Sequence, residues 1–174
     1  MTPLERLHND ITRSGLLFEP QIADDFIHGT ARIPSAGVDV AVNVDPELAD
    51  HPDPDATVLL AAIERLLTIT PERWHRIIDS IAQEIEEAVG DQPIAEPIDL
   101  RDDLTLSSTV VFHDATLLSF AAPKQFPDSW IRAQLDEDLA VDGVAVDDRD
   151  DDVETVEFES VDDLLDHLSA ADNP

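Results

Sequence analysis

The stretch Val38-Asp39-Val40-Ala41-Val42-Asn43-Val44 decides the fold, because valine occupies every second position of it. Side chains of a strand alternate between its two faces, so this spacing predicts a strand with one buried face. A second strand-like run, Phe26–Ile33, precedes it across the turn sequence Pro34-Ser35-Ala36-Gly37. Together the two runs predict a β-hairpin that packs one face on a core.

Helical spacing follows the hairpin. Asp53-Pro54-Asp55 and Thr70-Pro71-Glu72 each place a capping side chain before a run in which apolar residues recur three and four positions apart. The apolar sets are Val58, Leu59, Ala62, Ile63, Leu66 and Leu67, then Trp74, Ile77, Ile78, Ile81 and Ile85. We expect two helices that pack as an antiparallel pair. A further helix is predicted at the N-terminus, where Thr2-Pro3-Leu4-Glu5 has the form of a capping box and Gly15 suits a C-cap.

The period returns to two beyond the helices. Alternating residues begin at Leu104, turn at His113-Asp114-Ala115, return along Thr116–Ala122, and continue after a predicted loop at 124–128. Two further runs, 130–135 and 141–146, complete a meander of three or four strands, with a bend expected at Asp142-Gly143. An edge strand at 153–159 and a short helix from Ser160 are predicted last.

These patterns predict the α+β class. The predicted architecture is a mostly antiparallel sheet, made of the hairpin and the meander, packed with a central antiparallel helix pair and short terminal helices. At 174 residues the chain is long enough for one domain with its own core. We therefore expect a single domain over residues 1–174, with an acidic C-terminal part from about residue 147.

The charge excludes several kinds of partner. Forty acidic residues against ten basic ones give a formal net charge of -30, which disfavours direct contact with nucleic acid or with an anionic membrane. Lys124 is the single lysine, which fits either salt adaptation or a GC-rich genome. No cysteine is present, and the N-terminal residues lack the basic start and apolar run of a signal peptide. We expect a cytoplasmic protein.

The acidic run near the C-terminus resembles a calcium loop in part. Asp148, Asp150, Asp152 and Glu159 occupy positions one, three, five and twelve of that template, whereas Val153 stands where the loop needs glycine. The favoured interpretation is therefore a solvated acidic loop. The six histidines show no helical zinc-motif spacing, so each is interpreted as a surface or capping residue. No phosphate-binding loop is recognisable, and we expect no cofactor.

A partner-binding patch is the remaining candidate. Phe126 and Trp130 are aromatic side chains of the kind that anchor interfaces, and the acidic triplet Asp136, Glu137 and Asp138 follows them along the chain. With only eight aromatic residues in the chain, a core role for the two aromatics is the favoured alternative.

The stretch Ala122-Pro123-Lys124-Gln125-Phe126-Pro127-Asp128-Ser129-Trp130-Ile131, with Leu135-Asp136-Glu137-Asp138 and residues 141–147, resembles a family of small acidic actinobacterial proteins of uncharacterised function. Some members carry a cytochrome-c5-type label, which this chain does not support, because it lacks the cysteines needed to attach haem. The resemblance transfers no catalytic residue. It favours the genomic explanation for the missing lysines.

The leading hypothesis is a non-catalytic binding or regulatory protein that contacts a basic protein, in the manner of an immunity protein or a nucleic-acid mimic. One alternative is a small enzyme or ligand-binding protein, which a pocket joining Asp114 or Asp128 to a histidine, with a perturbed carboxylate, would support. Another is that the acidity serves solubility or salt adaptation alone. The sequence leaves the oligomeric state open.

Overall fold

A computed structural model of the chain describes residues 1–89 and 99–148. The predicted strand at 153–159 and the helix from Ser160 lie outside these residues. The described elements, in chain order, are α1 (Pro3–Ser14), β1 (Phe18–Ala23), β2 (Phe26–Ile33), β3 (Val38–Val44), α2 (Ala56–Leu67), α3 (Pro71–Val89), α4 (Leu100–Asp103), β4 (Thr105–Val111), β5 (Thr116–Ala122), β6 (Phe126–Leu135) and β7 (Val141–Asp148).

The seven strands form one sheet in chain order, β1-β2-β3-β4-β5-β6-β7. Every neighbouring pair is antiparallel except β3 and β4, which run parallel with Val44 beside Val111. A parallel pair needs a long crossover connection, and the chain between β3 and β4, which includes α2, α3 and α4, supplies it. The α+β class and the mostly antiparallel sheet are confirmed, and the crossover joins the predicted hairpin and meander into one sheet.

The helices pack differently from the prediction. The principal helix contacts join α1 to α2 and α3 to α4, while α3 also contacts β7. The predicted packing of α2 against α3 as a central antiparallel pair is therefore not confirmed. Arg101 of α4 explains one of the observed contacts, because its guanidinium lies 2.7 Å from Asp79 and 2.9 Å from Glu86, both on α3.

One face of the sheet carries the core. Val40, Val42 and Val44 are buried as the alternation predicts, while Asp39 is exposed on the other face. The helices cover the buried face with side chains that are almost fully enclosed, among them Leu7, Ile11, Leu59, Ile63, Leu66, Ile77 and Ile81. Residues on the opposite face, such as Ala41 and Asn43, remain half-buried. The sheet is therefore covered by helices on one side.

One strand and one loop differ from the sequence-based prediction. β1 was not predicted, because its sequence includes Pro20 and shows no apolar alternation. The predicted loop at 124–128 is shorter than expected, since Phe126 already pairs with Ala122 and opens β6. The bend at Asp142 is present as a register shift, because Gln134 faces Gly143 and Leu135 faces Val141.

No helix within residues 1–89 and 99–148 is long and apolar enough to cross a membrane.

Candidate functional site

One end of the sheet collects acidic loops that are distant in sequence. Strands β1, β3, β4 and β6 end there, and β2, β5 and β7 begin there, so the loops between them meet at one place. We call this surface the acidic end and define it by the carboxylates of those loops: Asp24, Asp25, Asp45, Glu47, Asp50, Asp53, Asp55, Asp114, Asp136, Glu137 and Asp138. The loop segments 24–25, 45–55, 112–115 and 136–140 contain no lysine or arginine.

Two histidines and a glutamate meet within the acidic end. Glu47 and His51 lie on the loop after β3, and His113 lies on the turn between β4 and β5. One ligand atom from each of the three side chains lies within 4.8 Å of the other two. We call these residues the histidine cluster. The parallel β3–β4 pair creates it, because both strands deliver their following loops to the same end of the sheet.

Local hydrogen bonds hold the loop after β3 in a compact turn. Glu47 adopts a left-handed conformation with φ of 53°, and its carbonyl accepts hydrogen bonds from the amides of Asp50 at 2.9 Å and His51 at 2.7 Å. The Asp45 side chain accepts a hydrogen bond from the Glu47 amide at 2.8 Å. These contacts turn the chain back so that His51 lies beside Glu47. The amide of Asp45 also donates to the Val111 carbonyl at 3.0 Å, which fixes this loop to the end of β4.

The two imidazole rings of the cluster lie close together. Their centroids are 4.2 Å apart with an interplanar angle of 37°. Nδ1 of His113 lies 3.3 Å from Oε2 of Glu47, and the His113 side chain is only 10% exposed. Nε2 of His113 is buried and has no hydrogen-bond partner among residues 1–89 and 99–148. A buried nitrogen of this kind costs about 1–3 kcal/mol unless it gains a partner.

The electrostatic environment of the cluster is negative. Burial raises the pKa of the Asp45 carboxyl above its ordinary value, and the nearby charges of Asp25 and Glu47 act in the same direction. The hydrogen bond from the Glu47 amide and the charge of His113 oppose this rise. A cation held here would therefore be stabilised by several carboxylates at once.

A shallow depression adjoins the cluster. Its volume is only about 10 Å³, and its lining includes His113, Asp114, Arg65, Asp136 and Glu137. It therefore joins Asp114 to a histidine, as the enzyme or ligand-binding alternative requires. The carboxyl with the raised pKa is Asp45, which is not part of the lining.

The structure separates the residues predicted to bind a partner. Asp136, Glu137 and Asp138 are exposed on the turn after β6, within the acidic end. Phe126 and Trp130 lie in the first half of β6, toward the opposite end of the sheet, where Phe126 packs against the core. A strand rises about 3.3 Å per residue, so Phe126 and Asp136 are roughly 33 Å apart. The aromatic pair and the acidic triplet therefore do not form one continuous surface.

The calcium-like run is only partly described. Asp148 is exposed at the end of β7, on the opposite end of the sheet from the histidine cluster. Asp150, Asp152 and Glu159 lie outside the described residues.

Sequence reasoning missed the histidine cluster, because the residues that form it come from separate loops. The surface or capping interpretation describes other histidines well: His28 contacts the Asn43 side chain at 2.7 Å, and His8 contacts the Pro20 carbonyl at 2.8 Å. It does not describe His113, which is nearly buried beside Glu47 and His51. A signal for the cluster appears only once β3 and β4 are known to be parallel neighbours.

Comparison with known proteins finds no matching family model, no matching curated protein and no matching solved structure.

Proposed function

We propose that this chain is a non-catalytic binding protein whose acidic end contacts a basic protein partner. The observation that carries the proposal is the convergence of carboxylates from four separate loop segments on one end of the sheet, without a lysine or arginine in any of them. Such a surface attracts a basic partner over several ångströms and raises the association rate, most strongly at low salt. Immunity-like inhibition, or mimicry of a nucleic acid by the carboxylates, is the form of binding that this charge favours.

The distribution of ion pairs supports the acidic end as the contact surface. Elsewhere in the described residues, four arginines form ion pairs with carboxylates, among them Arg32 with Asp39 at 3.4 Å and Arg132 with Asp147 at 3.3 Å. Within the acidic end of the described structure, Arg6 is the arginine that forms an ion pair, with Asp53 at 2.8 Å. Among the residues that the structure describes, the other carboxylates of the acidic end form no ion pair with an arginine or lysine, so a basic partner would supply counter-charge there.

The exposed triplet gives the proposal a specific test. The tagged full-length protein, the variant Asp136→Asn/Glu137→Gln/Asp138→Asn and a control variant are each used to retain proteins from native lysate at low and moderate salt. The control, Glu84→Gln/Asp102→Asn/Asp128→Asn, removes the same charge from exposed positions outside the acidic end. Asparagine at 136 keeps an oxygen that can accept from the amides of Asp138 and Ala140, so the turn should remain intact.

We expect one basic protein, retained at near-stoichiometric level, to bind the wild type and the control variant and to be lost from the triplet variant and at higher salt. If both variants retain less of this protein than the wild type, and by the same amount, total charge alone drives its capture. That result would contradict a specific contact at the acidic end. No retained protein at either salt would refute the proposal and leave solubility or salt adaptation as the role of the acidity. The proposal includes a cytoplasmic location and membership of the acidic actinobacterial family, both as predicted from the sequence.

A second proposed function is a ligand-binding protein or small enzyme, for which the support is the position of His113 beside Asp114. The depression between them has a volume of only about 10 Å³, room for about one water molecule, so a ligand would bind mainly at its rim. This second function predicts that a small molecule raises the melting temperature of the wild type and not that of Asp114→Asn. Asp114 is exposed, so this substitution should leave the fold intact. A metabolite screen in which no compound separates the two proteins would contradict it.

A further inference from the structure

We infer that the histidine cluster is a binding site for a divalent transition-metal cation, held by Glu47, His51 and His113. This inference does not rest on the proposed partner, because it concerns side chains that contact each other within this chain. Two imidazoles and one carboxylate are a donor set found in three-ligand zinc sites, which leave a fourth position to solvent or substrate.

The distances are close to those of a coordinated ion. Tetrahedral zinc binds nitrogen and oxygen at about 2.0–2.1 Å, which places two ligand atoms about 3.3 Å apart. Nδ1 of His113 and Oε2 of Glu47 already have this separation, at 3.3 Å. The ligand atom of His51 lies within 4.8 Å of both, and His51 is exposed, so a small rotation of its side chain would complete the set.

Burial and the contact with Glu47 fix the position of the His113 ring. The side chain is nine-tenths buried, so Nδ1 is held beside Glu47. An ion bound at Nδ1 would leave Nε2, which has no hydrogen-bond partner in the described structure, outside the coordination shell. The ring lies 4.2 Å from that of His51 without a hydrogen bond between them. One shared metal ion would account for the close approach of the two rings.

The choice of metal follows from the donors. Imidazole nitrogen suits zinc, copper, nickel and iron, while calcium and magnesium prefer oxygen ligands only. Because the site includes two histidines, we expect it to discriminate against magnesium even though the surrounding carboxylates attract any cation. The preference for zinc over magnesium distinguishes this site from non-specific cation binding to a chain of formal net charge -30.

The test is calorimetric titration of the full chain with Zn²⁺, first without Mg²⁺ and then in excess Mg²⁺. The absorption spectrum of bound Co²⁺ reports the coordination number of the site. The informative variants are His51→Ala, whose side chain is exposed, and Glu47→Gln. The matched control is His75→Ala, an exposed histidine on α3. Circular dichroism checks that each variant remains folded, and Asp148→Asn tests the calcium-like run independently.

We expect one Zn²⁺ per chain, unaffected by Mg²⁺, His75→Ala or Asp148→Asn, and a rise in melting temperature on zinc addition. His51→Ala and Glu47→Gln should each weaken zinc binding by at least tenfold, since even outer-shell substitutions commonly cost 10- to 100-fold. Binding that Mg²⁺ displaces, or that persists at the same affinity in His51→Ala, would show an adventitious ion only and overturn the inference. Absence of saturable zinc binding by the folded wild type would overturn it as well.

Discussion

Asp103 provides the sharpest test of how the sheet is tied to α4. Its carboxylate is 5% exposed, and its Oδ2 accepts hydrogen bonds from the amides of Lys124 at 3.0 Å and Gln125 at 2.9 Å. It therefore links the end of α4 to the connection between β5 and β6. In Asp103→Ala both amides lose this charged acceptor. A hydrogen bond to a charged group contributes about 1.5–3 kcal/mol, and sharing one oxygen reduces the sum, so we expect a loss of about 2–4 kcal/mol.

Thermal and urea unfolding monitored by circular dichroism measure this loss. For a chain of this size, it corresponds to a fall in melting temperature on the order of 5–15 °C. Asp103→Asn keeps one oxygen that can accept from both amides and should fall between wild type and Asp103→Ala. Asp102→Ala, at the exposed neighbouring position, should change stability by no more than about 0.5 kcal/mol. An Asp103→Ala protein that unfolds together with the Asp102→Ala control would refute the reasoning.

Two further substitutions test the packing of β1 and the start of α1. A Cβ atom at Gly29 would lie 3.1 Å from Cβ of Leu17 and 3.3 Å from the Phe18 carbonyl oxygen, and neither atom can rotate away. We expect Gly29→Ala to destabilise the protein by about 1–2 kcal/mol in urea unfolding, and a gain in stability would contradict the close approach. Hydrogen bonds from the backbone and then the side chain of Thr2 lower the pKa of Glu5 from its ordinary value of 4.5. Because the folded state favours the carboxylate, this stabilisation exists above pH 4.5 and disappears as pH falls through the lowered value. The melting temperature of Glu5→Gln should therefore lie below that of wild type at pH 7 and approach it as acidification protonates Glu5, whereas a pH-independent difference would contradict the assignment.

Local patterns predicted the elements whose signals are contained in a short segment. The valine alternation of β3 and the capping box of α1 depend on neighbours within a few residues, and both appear in the structure with the residues expected. The sequence analysis did not predict β1, because this edge strand, with Phe18 and Ile22 exposed, shows no apolar alternation. Its pairing with β2 depends on backbone hydrogen bonds, which the pattern of side chains does not reveal.

Relations between distant segments were beyond the sequence. The β3–β4 pairing is parallel, yet the same alternation would have fitted an antiparallel neighbour. The histidine cluster depends on that pairing, since His51 and His113 follow the two strands. The residues predicted to bind a partner lie at different places, because Phe126 begins β6 and Asp136 follows its end. Their role in binding a partner stays a prediction.

The parallel pair also has a consequence for the order of folding. β1 to β3 are joined by short turns, and so are β4 to β7, so each set can form from contacts that are close along the chain. The β3–β4 pairing must instead close a loop containing α2, α3 and α4, at a higher entropic cost. We expect the sets β1 to β3 and β4 to β7 to form first. Pairing of β3 with β4, the seam between the two sets, should then limit the folding rate. Val42 and Thr109, which face each other across that seam, are the positions where substitutions would report on this late step.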